Sequence, residues 1–416
     1  MISWAKHAVL YEVNIRQFTP AGTFNAFIPH LARLKNMGVD IIWLMPVTPI
    51  SKLKRQGKLG SYYACSSYTA LNEEFGNEND FKNLITQAHQ LELKVIIDWV
   101  ANHTGCDHEW TVSNPDFYIK DIDGNFTERN GWQDVIDLDY SNFLMQQSMI
   151  ESMQYWIENF DVDGFRCDMA HLVPLNFWEI AKTKCDEIKS LFWLAECDDE
   201  SYFKVFDVSY AWSWMHLTEK LIKQEANLKD LQNNLNSYLQ LPKDKLKLFF
   251  TSNHDENSWN GTEFEKYGIL SKAFAVLSFT WLGMPLIYSG QEIPNCKRLQ
   301  FFEKDNLIWN DEFKYQEFYS KLAAIHKNEK FNNSEISCLP SDQSNSIFSF
   351  YKKQGNNILL VILNLSKKDR IQYKLDSYFL NGSFKNSFSN LEYQFSETEN
   401  FELMAGEFLV YEKLIN

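Results

Sequence analysis

From residue 8 to residue 288, short apolar runs alternate with longer stretches in which apolar positions recur every three or four residues. The short runs suit buried strands and the longer stretches suit amphipathic helices, so the alternation predicts parallel strands joined by crossover helices. Strands are expected over residues 8–15, 39–45, 94–99, 162–167, 191–195, 206–210, 247–251 and 285–288. Helices are expected over 24–37, closed by Gly38, and over 80–91, 142–160, 176–189, 226–239 and 268–282. Eight strands spread over about 300 residues predict an α/β fold of the TIM (β/α)8 barrel type. A doubly wound open sheet fits less well, because no glycine-rich phosphate loop follows the first strand.

The periodicity breaks twice. After Asn102 it gives way to Asn, Asp, Gly and aromatic residues, with Asp123-Gly124 as a turn signal. A short loop-rich insertion is therefore expected after the third strand. Beyond Asn333 only short alternating runs remain, at 346–352, 357–365, 370–375 and 407–412. That is the period-two pattern of half-buried antiparallel strands. The expected organisation is a barrel over 1–102 and 140–333, an inserted subdomain over 103–139, and a C-terminal antiparallel, sandwich-like β domain over 334–416.

Composition changes the picture mainly by exclusion. A net charge of −15 repels polyanions, so neither nucleic acid nor an anionic membrane surface is an expected partner and a neutral substrate is. An aromatic content of 15% supplies rings for the core and for platforms under flat apolar faces such as those of sugars. The seven cysteines are widely spaced with no C-x-x-C pair and read as free thiols, not as a disulfide framework or zinc site. The chain shows no apolar run of membrane-spanning length and no signal-peptide pattern before the first strand. As written it predicts a cytoplasmic protein, or an extracytoplasmic one if a leader has been removed. No pattern speaks to oligomeric state.

In a barrel the strand C-termini converge on the active site, so a polar residue directly after an apolar run carries weight. Four strands end in this way. The third gives Asp98-Trp-Val-Ala-Asn102-His103, and the fourth gives Arg166 and Asp168 within Asp163-Gly164-Phe165-Arg166-Cys167-Asp168. The fifth gives Glu196 and the seventh Asn253-His254-Asp255. Arg166 and Asp168 stand two apart, so both side chains point to one face. An isolated R-x-D is most often a structural ion pair; at a strand end the guanidinium would keep a carboxylate nucleophile ionised. Asp168, Glu196 and Asp255 would meet in one pocket beside His103 and His254, and two carboxyls across a scissile bond are what glycoside hydrolysis requires.

In order and spacing, these segments resemble the four sequence regions of the α-amylase superfamily, glycoside hydrolase family 13. The succession of barrel, insertion, barrel and C-terminal β domain is similar to that family too. The resemblance implies a retaining hydrolase of α-1,4-glucosidic bonds in starch, glycogen or maltooligosaccharides. A transglycosylase or a maltooligosaccharide-directed α-glucosidase on the same machinery is the alternative. A non-catalytic binding scaffold is disfavoured, because Asp168, Glu196 and Asp255 are all present. By the same resemblance Asp168 is the nucleophile, Glu196 the general acid and then base, and Asp255 the group that holds sugar hydroxyls. Arg166 would orient Asp168, His103 and His254 would bond the reacting sugar, and Tyr63 would stack on it. Trp132 and Trp259 read as further platforms in loops facing the cleft, whereas Trp43 and Trp281 read as core. An acid catalyst needs a raised pKa, so Glu196 is expected high and Asp168 low beside Arg166, with the two carboxyls about 5–5.5 Å apart.

The chain departs from the family at two places and leaves a third open. Many amylases carry Lys-His at the third and fourth positions after the nucleophile; here His171 and Leu172 stand there. His171 reads either as a substrate contact or as a loop cap. The loop at 17–23 is short and lacks the Asp-rich metal loop of the oligo-1,6-glucosidase branch, which weighs against an α-1,6-specific exo enzyme. The resemblance also implies a structural Ca²⁺ on Asn102, Asp137 and a main-chain carbonyl near Leu172, with Asn102 tying its loop by hydrogen bonds alone as the alternative. No other cofactor is implied. Asp121-x-Asp123-Gly-Asn125 lacks the downstream Glu of an EF-hand and reads as a turn.

Overall fold

A computed structural model describes residues 1–309 and 312–414. Residues 310 and 311, in the expected barrel span, and 415 and 416, in the expected C-terminal span, lie outside the described residues. The first ten strands run β1 Leu10–Val13, β2 Ile41–Leu44, β3 Lys94–Trp99, β4 His103–Gly105, β5 Val135–Asp137, β6 Gly164–Cys167, β7 Phe192–Ala195, β8 Val208–Tyr210, β9 Leu246–Phe249 and β10 Met284–Tyr288. Eight of them close into a parallel barrel in the order β1-β10-β9-β8-β7-β6-β3-β2. Every residue of β1, β2, β6, β7, β9 and β10 is buried. Both faces of these strands are covered, which is why they read as continuous apolar runs and not as alternations.

The helices form where an apolar stripe follows a capping residue. Asn77 accepts from the N–H groups of Asn79 and Asp80, while Asp80 reaches back to the Asn77 N–H. This reciprocal cap starts the helix Glu78–Gln90, which buries Phe81, Leu84, Ile85 and Ala88 against the barrel. The helix expected over 24–37 is in fact two pieces, Phe24–Phe27 and Leu31–Met37, joined by a 3-10 turn at Ile28–His30. Pro29 lacks the N–H a continuous helix would need. Gly38 closes the second piece at φ 99°, its N–H shared between the Leu34 and Lys35 carbonyls. Two helices of eleven residues, Trp212–Ile222 and Gln316–His326, were not expected at all.

After β3 the chain leaves the barrel and returns through a two-stranded antiparallel ribbon, in which β4 faces β5 with His103 opposite Asp137. Asp121 accepts from the N–H groups of Asp123 and Asn125, so that stretch is a turn. The C-terminal part holds β11 Glu335–Cys338, β12 Ile347–Gln354, β13 Asn357–Asn364, β14 Ile371–Asp376, β15 Gly382–Asn386, β16 Glu392–Phe395, β17 Thr398–Leu403 and β18 Phe408–Lys413. Six of these form an antiparallel sheet in the order β11-β12-β13-β18-β15-β16, and β14 pairs with β17. Along β13, Leu359, Val361 and Leu363 join the barrel's core, while Ile358, Leu360 and Ile362 pack on the other face with Tyr373 and Leu403 of the β14-β17 pair. Trp281 meets Phe350 of this sheet edge-on at 4.9 Å. Among the described residues no helix is long and apolar enough to cross a membrane.

Candidate active site

Strand register assembles the centre of the site. Asp98 on β3 lies opposite Arg166 on β6, and Arg166 lies opposite Leu194 on β7. Two residues further along each chain come Asp168 and Glu196, held by Asp168 N–H to the Trp99 carbonyl and Glu196 N–H to the Cys167 carbonyl. Arg166 is wholly buried. Its Nη1 donates to Asp98 Oδ1 at 2.9 Å and Asp168 Oδ1 at 2.8 Å, and its Nε donates to the Tyr210 hydroxyl at 3.2 Å. Glu196 Oε2 sits 2.8 Å from Nη2, yet that nitrogen has no hydrogen-bond partner, so the contact is one of charge and not of an aligned N–H. Glu196 Oε2 instead accepts from the Met169 N–H at 2.8 Å. Met169 turns that N–H inward by adopting φ 42°, a left-handed conformation costly for a side chain of its size.

A second layer fixes these groups. Trp43 lies face-on to Arg166 at 5.0 Å and its indole N–H donates to Asp98 Oδ2 at 3.2 Å. The Tyr63 hydroxyl donates to the same oxygen at 3.1 Å and lies 2.7 Å from His254 Nε2. His254 Nδ1 meets Glu12 Oε1, a carboxylate in the middle of β1, at 2.5 Å. Asp255 Oδ2 is 3.3 Å from His254 Nε2 and is partly exposed to the cleft.

Burial and charge set the protonation of this cluster. Glu196 is pushed up to about 7 by burial, opposed by Arg166 and supported by Asp168 and Asp255. Asp168 is also raised, to about 6, because burial outweighs Arg166. The expectation that Arg166 alone would hold Asp168 low is therefore corrected: the one guanidinium is shared with Asp98 and Glu196. Burial lowers His254, but Asp255 and Glu12 outweigh it and bring it to about 9, so it stands as an imidazolium. His103 is lowered to about 4 by burial and stays neutral.

Above the cluster opens a cavity of about 290 Å³, lined by Tyr63, His103, Trp132, Asp168, Met169, Glu196, His254, Asp255 and Trp259, together with Gln56, Ser61, Asp134, Val135, Phe301 and Phe302. The cavity thus brings together every expected catalytic and substrate-binding residue except Arg166, which lies beneath its floor, and His171. The 3-10 turn Ala170–Leu172 directs His171 to solvent, outside the cavity lining. Trp132 packs on His103 at 5.0 Å, and Trp259 forms an exposed rim against Phe301 at 5.4 Å. Sequence reasoning missed Glu12, Phe301 and Phe302, gave Asp98 no role, and placed Trp43 in the core without its bond to Asp98. A carboxylate inside an apolar strand, as at Glu12, was the one signal available.

The donor set implied for calcium is in part engaged within the protein. Asp137 is buried; its Oδ2 accepts from Arg129 Nε at 2.8 Å, while its Oδ1 has no hydrogen-bond partner among the described residues. Asn102 Nδ2 is bonded to His103 Nδ1 at 3.2 Å, and the carbonyls either side of Leu172 accept from the Tyr202 hydroxyl. Ca²⁺ takes six to eight oxygens. Among the described residues no cluster of three or more His, Cys, Asp or Glu side chains is placed to hold a metal ion.

The family profile described as Alpha amylase, catalytic domain, matches residues 12–189. The chain is 26% identical over 400 residues to Alpha-amylase 3 of Dictyoglomus thermophilum, covering 84% of this chain and 76% of that protein. Its structure matches the crystal structure of a noncanonic maltogenic alpha-amylase, AmyB, from Thermotoga neapolitana with a TM-score of 0.91 at 30% identity, over 99% of each chain. It matches that of an alpha-amylase from Lactobacillus plantarum with a TM-score of 0.90 at 26% identity, over 99% of this chain and 100% of that one. The likeness runs through the barrel, the ribbon and the C-terminal sheet alike, and the chain belongs to the α-amylase family, glycoside hydrolase family 13.

Proposed function

We propose that this enzyme is a retaining hydrolase of α-1,4-glucosidic bonds in starch, glycogen or maltooligosaccharides, with Asp168 as nucleophile and Glu196 as acid and base. The observation that carries the assignment is the sharing of one buried guanidinium, Arg166, by both carboxyls at the floor of a sugar-sized cavity. A carboxylate that touches the cation through an aligned N–H is the better nucleophile; one that touches it only by charge and sits higher in pKa is the better acid. Glu196 gives its proton to the glycosidic oxygen as the bond to the anomeric carbon breaks, and Asp168 forms a covalent bond to that carbon. Glu196 then takes a proton from water, which attacks the same carbon and releases Asp168, so the anomeric configuration is kept. The His254 imidazolium, Asp255 and neutral His103 bond the sugar hydroxyls, and Tyr63, Trp132 and Trp259 offer ring faces to the sugar.

The test is to follow maltoheptaose hydrolysis by NMR in the wild type and in Asp168→Asn. The wild type should release α-anomeric products first, and the variant should lose kcat by on the order of 10⁴-fold or more. Initial β-anomers would overturn the retaining assignment; products longer than the substrate would move the reading to transglycosylation. We infer that Arg129, paired with Asp137 Oδ2, stands where a structural cation would otherwise be needed. Excess chelator should therefore leave the Tm unchanged in a thermal melt, and a clear fall reversed by Ca²⁺ would contradict this.

A further inference from the structure

A carboxylate inside an otherwise apolar barrel strand is costly unless something pairs with it. Neighbours on a strand point to opposite faces, so in β1 Tyr11 reaches Glu292 while Glu12 points the other way and meets His254. Glu12 is wholly buried and does not line the catalytic cavity, so it cannot reach a sugar held there. Its Oε1 lies 2.5 Å from His254 Nδ1, and its Oε2 has no hydrogen-bond partner among the described residues. The hydrogen bonding of this side chain therefore passes through one imidazole nitrogen, which must carry a proton to donate.

The other ring nitrogen decides where a second proton goes. His254 Nε2 is 2.7 Å from the Tyr63 hydroxyl, and that hydroxyl is 3.1 Å from Asp98 Oδ2. Tyr63 has a single proton to give and both groups within reach. With Nε2 bare, the shorter contact takes that proton, and Asp98 Oδ2 keeps only the Trp43 N–H. With Nε2 protonated, the ring donates to the Tyr63 oxygen and the Tyr63 proton turns to Asp98. Asp98 Oδ1 in turn shares Arg166 Nη1 with Asp168 Oδ1. An unbroken run of hydrogen bonds thus leads from Glu12 to the nucleophile. Burial and Arg166 oppose a charge on the His254 ring, while Asp255 and Glu12, with Asp98 beside them, favour it. Tyr63, Tyr210 of β8 and Tyr288 of β10 complete the surroundings of the pair, and burial pushes all three hydroxyls well above their usual value, so they stay neutral. Asp255 lines the cavity and is partly exposed, so Glu12 is the hydrogen-bonded countercharge that an entering sugar leaves in place.

We propose that Glu12 is a positioning residue: by keeping both ring nitrogens of His254 protonated, it turns the Tyr63 proton toward Asp98 and so fixes the donors around Arg166 and Asp168. The proposal rests on the hydrolase reading above. Glu12 acts through His254 and never touches the substrate.

The test follows the ring nitrogens of His254 by NMR in histidine-labelled enzyme from pH 5 to 8, in the wild type, Glu12→Gln and Glu12→Asp, with His254→Asn assigning the signal. Maltoheptaose turnover is measured over the same range. Gln has the size of Glu without its charge, so the His254 midpoint should fall by about 1–2 pH units and enter the range measured. An imidazolium with a lowered midpoint is present at low pH and lost as pH rises, so kcat relative to the wild type should be about two- to tenfold lower at pH 8 than at pH 6. Glu12→Asp keeps the charge, so His254 should stay protonated and the kcat ratio should be flat with pH. A His254 still charged at pH 8 in Glu12→Gln, or a kcat deficit equal at every pH, would overturn the proposal. Should Glu12→Gln fail to fold, a wild-type His254 charged through pH 8 together with a flat Glu12→Asp ratio supports the proposal, and departure from either overturns it. The titration needs no substrate, so failure of the hydrolase reading is separately visible as an absence of turnover by the wild type.

Discussion

At the scale of single residues the chemistry turns on how one cation is divided. Arg166 faces three carboxyls, and burial raises all three: Asp98 to about 6, Asp168 to about 6 and Glu196 to about 7. Activity requires Asp168 ionised, a condition lost as pH falls through about 6, and Glu196 protonated, a condition lost as pH rises through about 7. A plot of kcat/KM against pH should therefore be bell-shaped, with its maximum between those values and with limbs that belong to the carboxyl set sharing Arg166. A profile that stays flat from pH 5 to 8 would contradict the assignment. His254 remains charged throughout this window, because burial is outweighed by Asp255 and Glu12 and it titrates only at about 9.

Among the elements, the entry to β6 is pinned by a second buried carboxylate. Asp163 accepts from the Val95 N–H of β3 at 2.9 Å and pairs with His89, Lys94 and Lys189. Burial would raise it, but the His89 and Val95 hydrogen bonds and Lys189 outweigh burial and hold it at about 2. Asp163→Asn should lower unfolding free energy by about 3 kcal/mol at pH 7, since it leaves several cations without their partner. Its folded pKa lies below the ordinary carboxylate value, so that stability is present at neutral pH and lost as pH falls toward about 2. Denaturant unfolding of the variant and the wild type should converge as pH drops; a gap unchanged down to pH 2 would rule the pairing out. The barrel strands themselves were legible because fully buried parallel strands are plain apolar runs. The helix Trp212–Ile222 was not, since Ala211 offers no capping side chain and aromatic residues mask the stripe. The strands β16 and β17 were missed because their inward residues are few, Phe395 in the one and Phe401 and Leu403 in the other. At the site, strand ends named Asp168, Glu196 and His254, but Phe301 and Phe302 lie in a loop, where no periodicity marks which ring faces a cavity.

Across the whole molecule one apolar core runs from the barrel into the C-terminal sheet, through Phe279, Trp281, Phe348, Phe350 and Val410. Barrel and sheet therefore share what holds them together, and unfolding of either exposes the other. Against that common core the floor of the cleft works in the opposite direction. Acids whose folded pKa lies above the unfolded value favour folding at low pH and oppose it as pH rises through about 6 to 7. At pH 8 the ionised carboxylates are held buried and close together by the surrounding barrel, so burial first and mutual repulsion second strain the fold. Asp168→Asn and Glu196→Gln relieve it and should melt a few degrees above the wild type at pH 8, with the gain fading by pH 5. Melting below the wild type at pH 8 would mean that the cluster is a brace and not a spring. On this view the most durable form of the protein is one that has lost its activity, and the strain of holding Asp168 and Glu196 buried is what readies them to react.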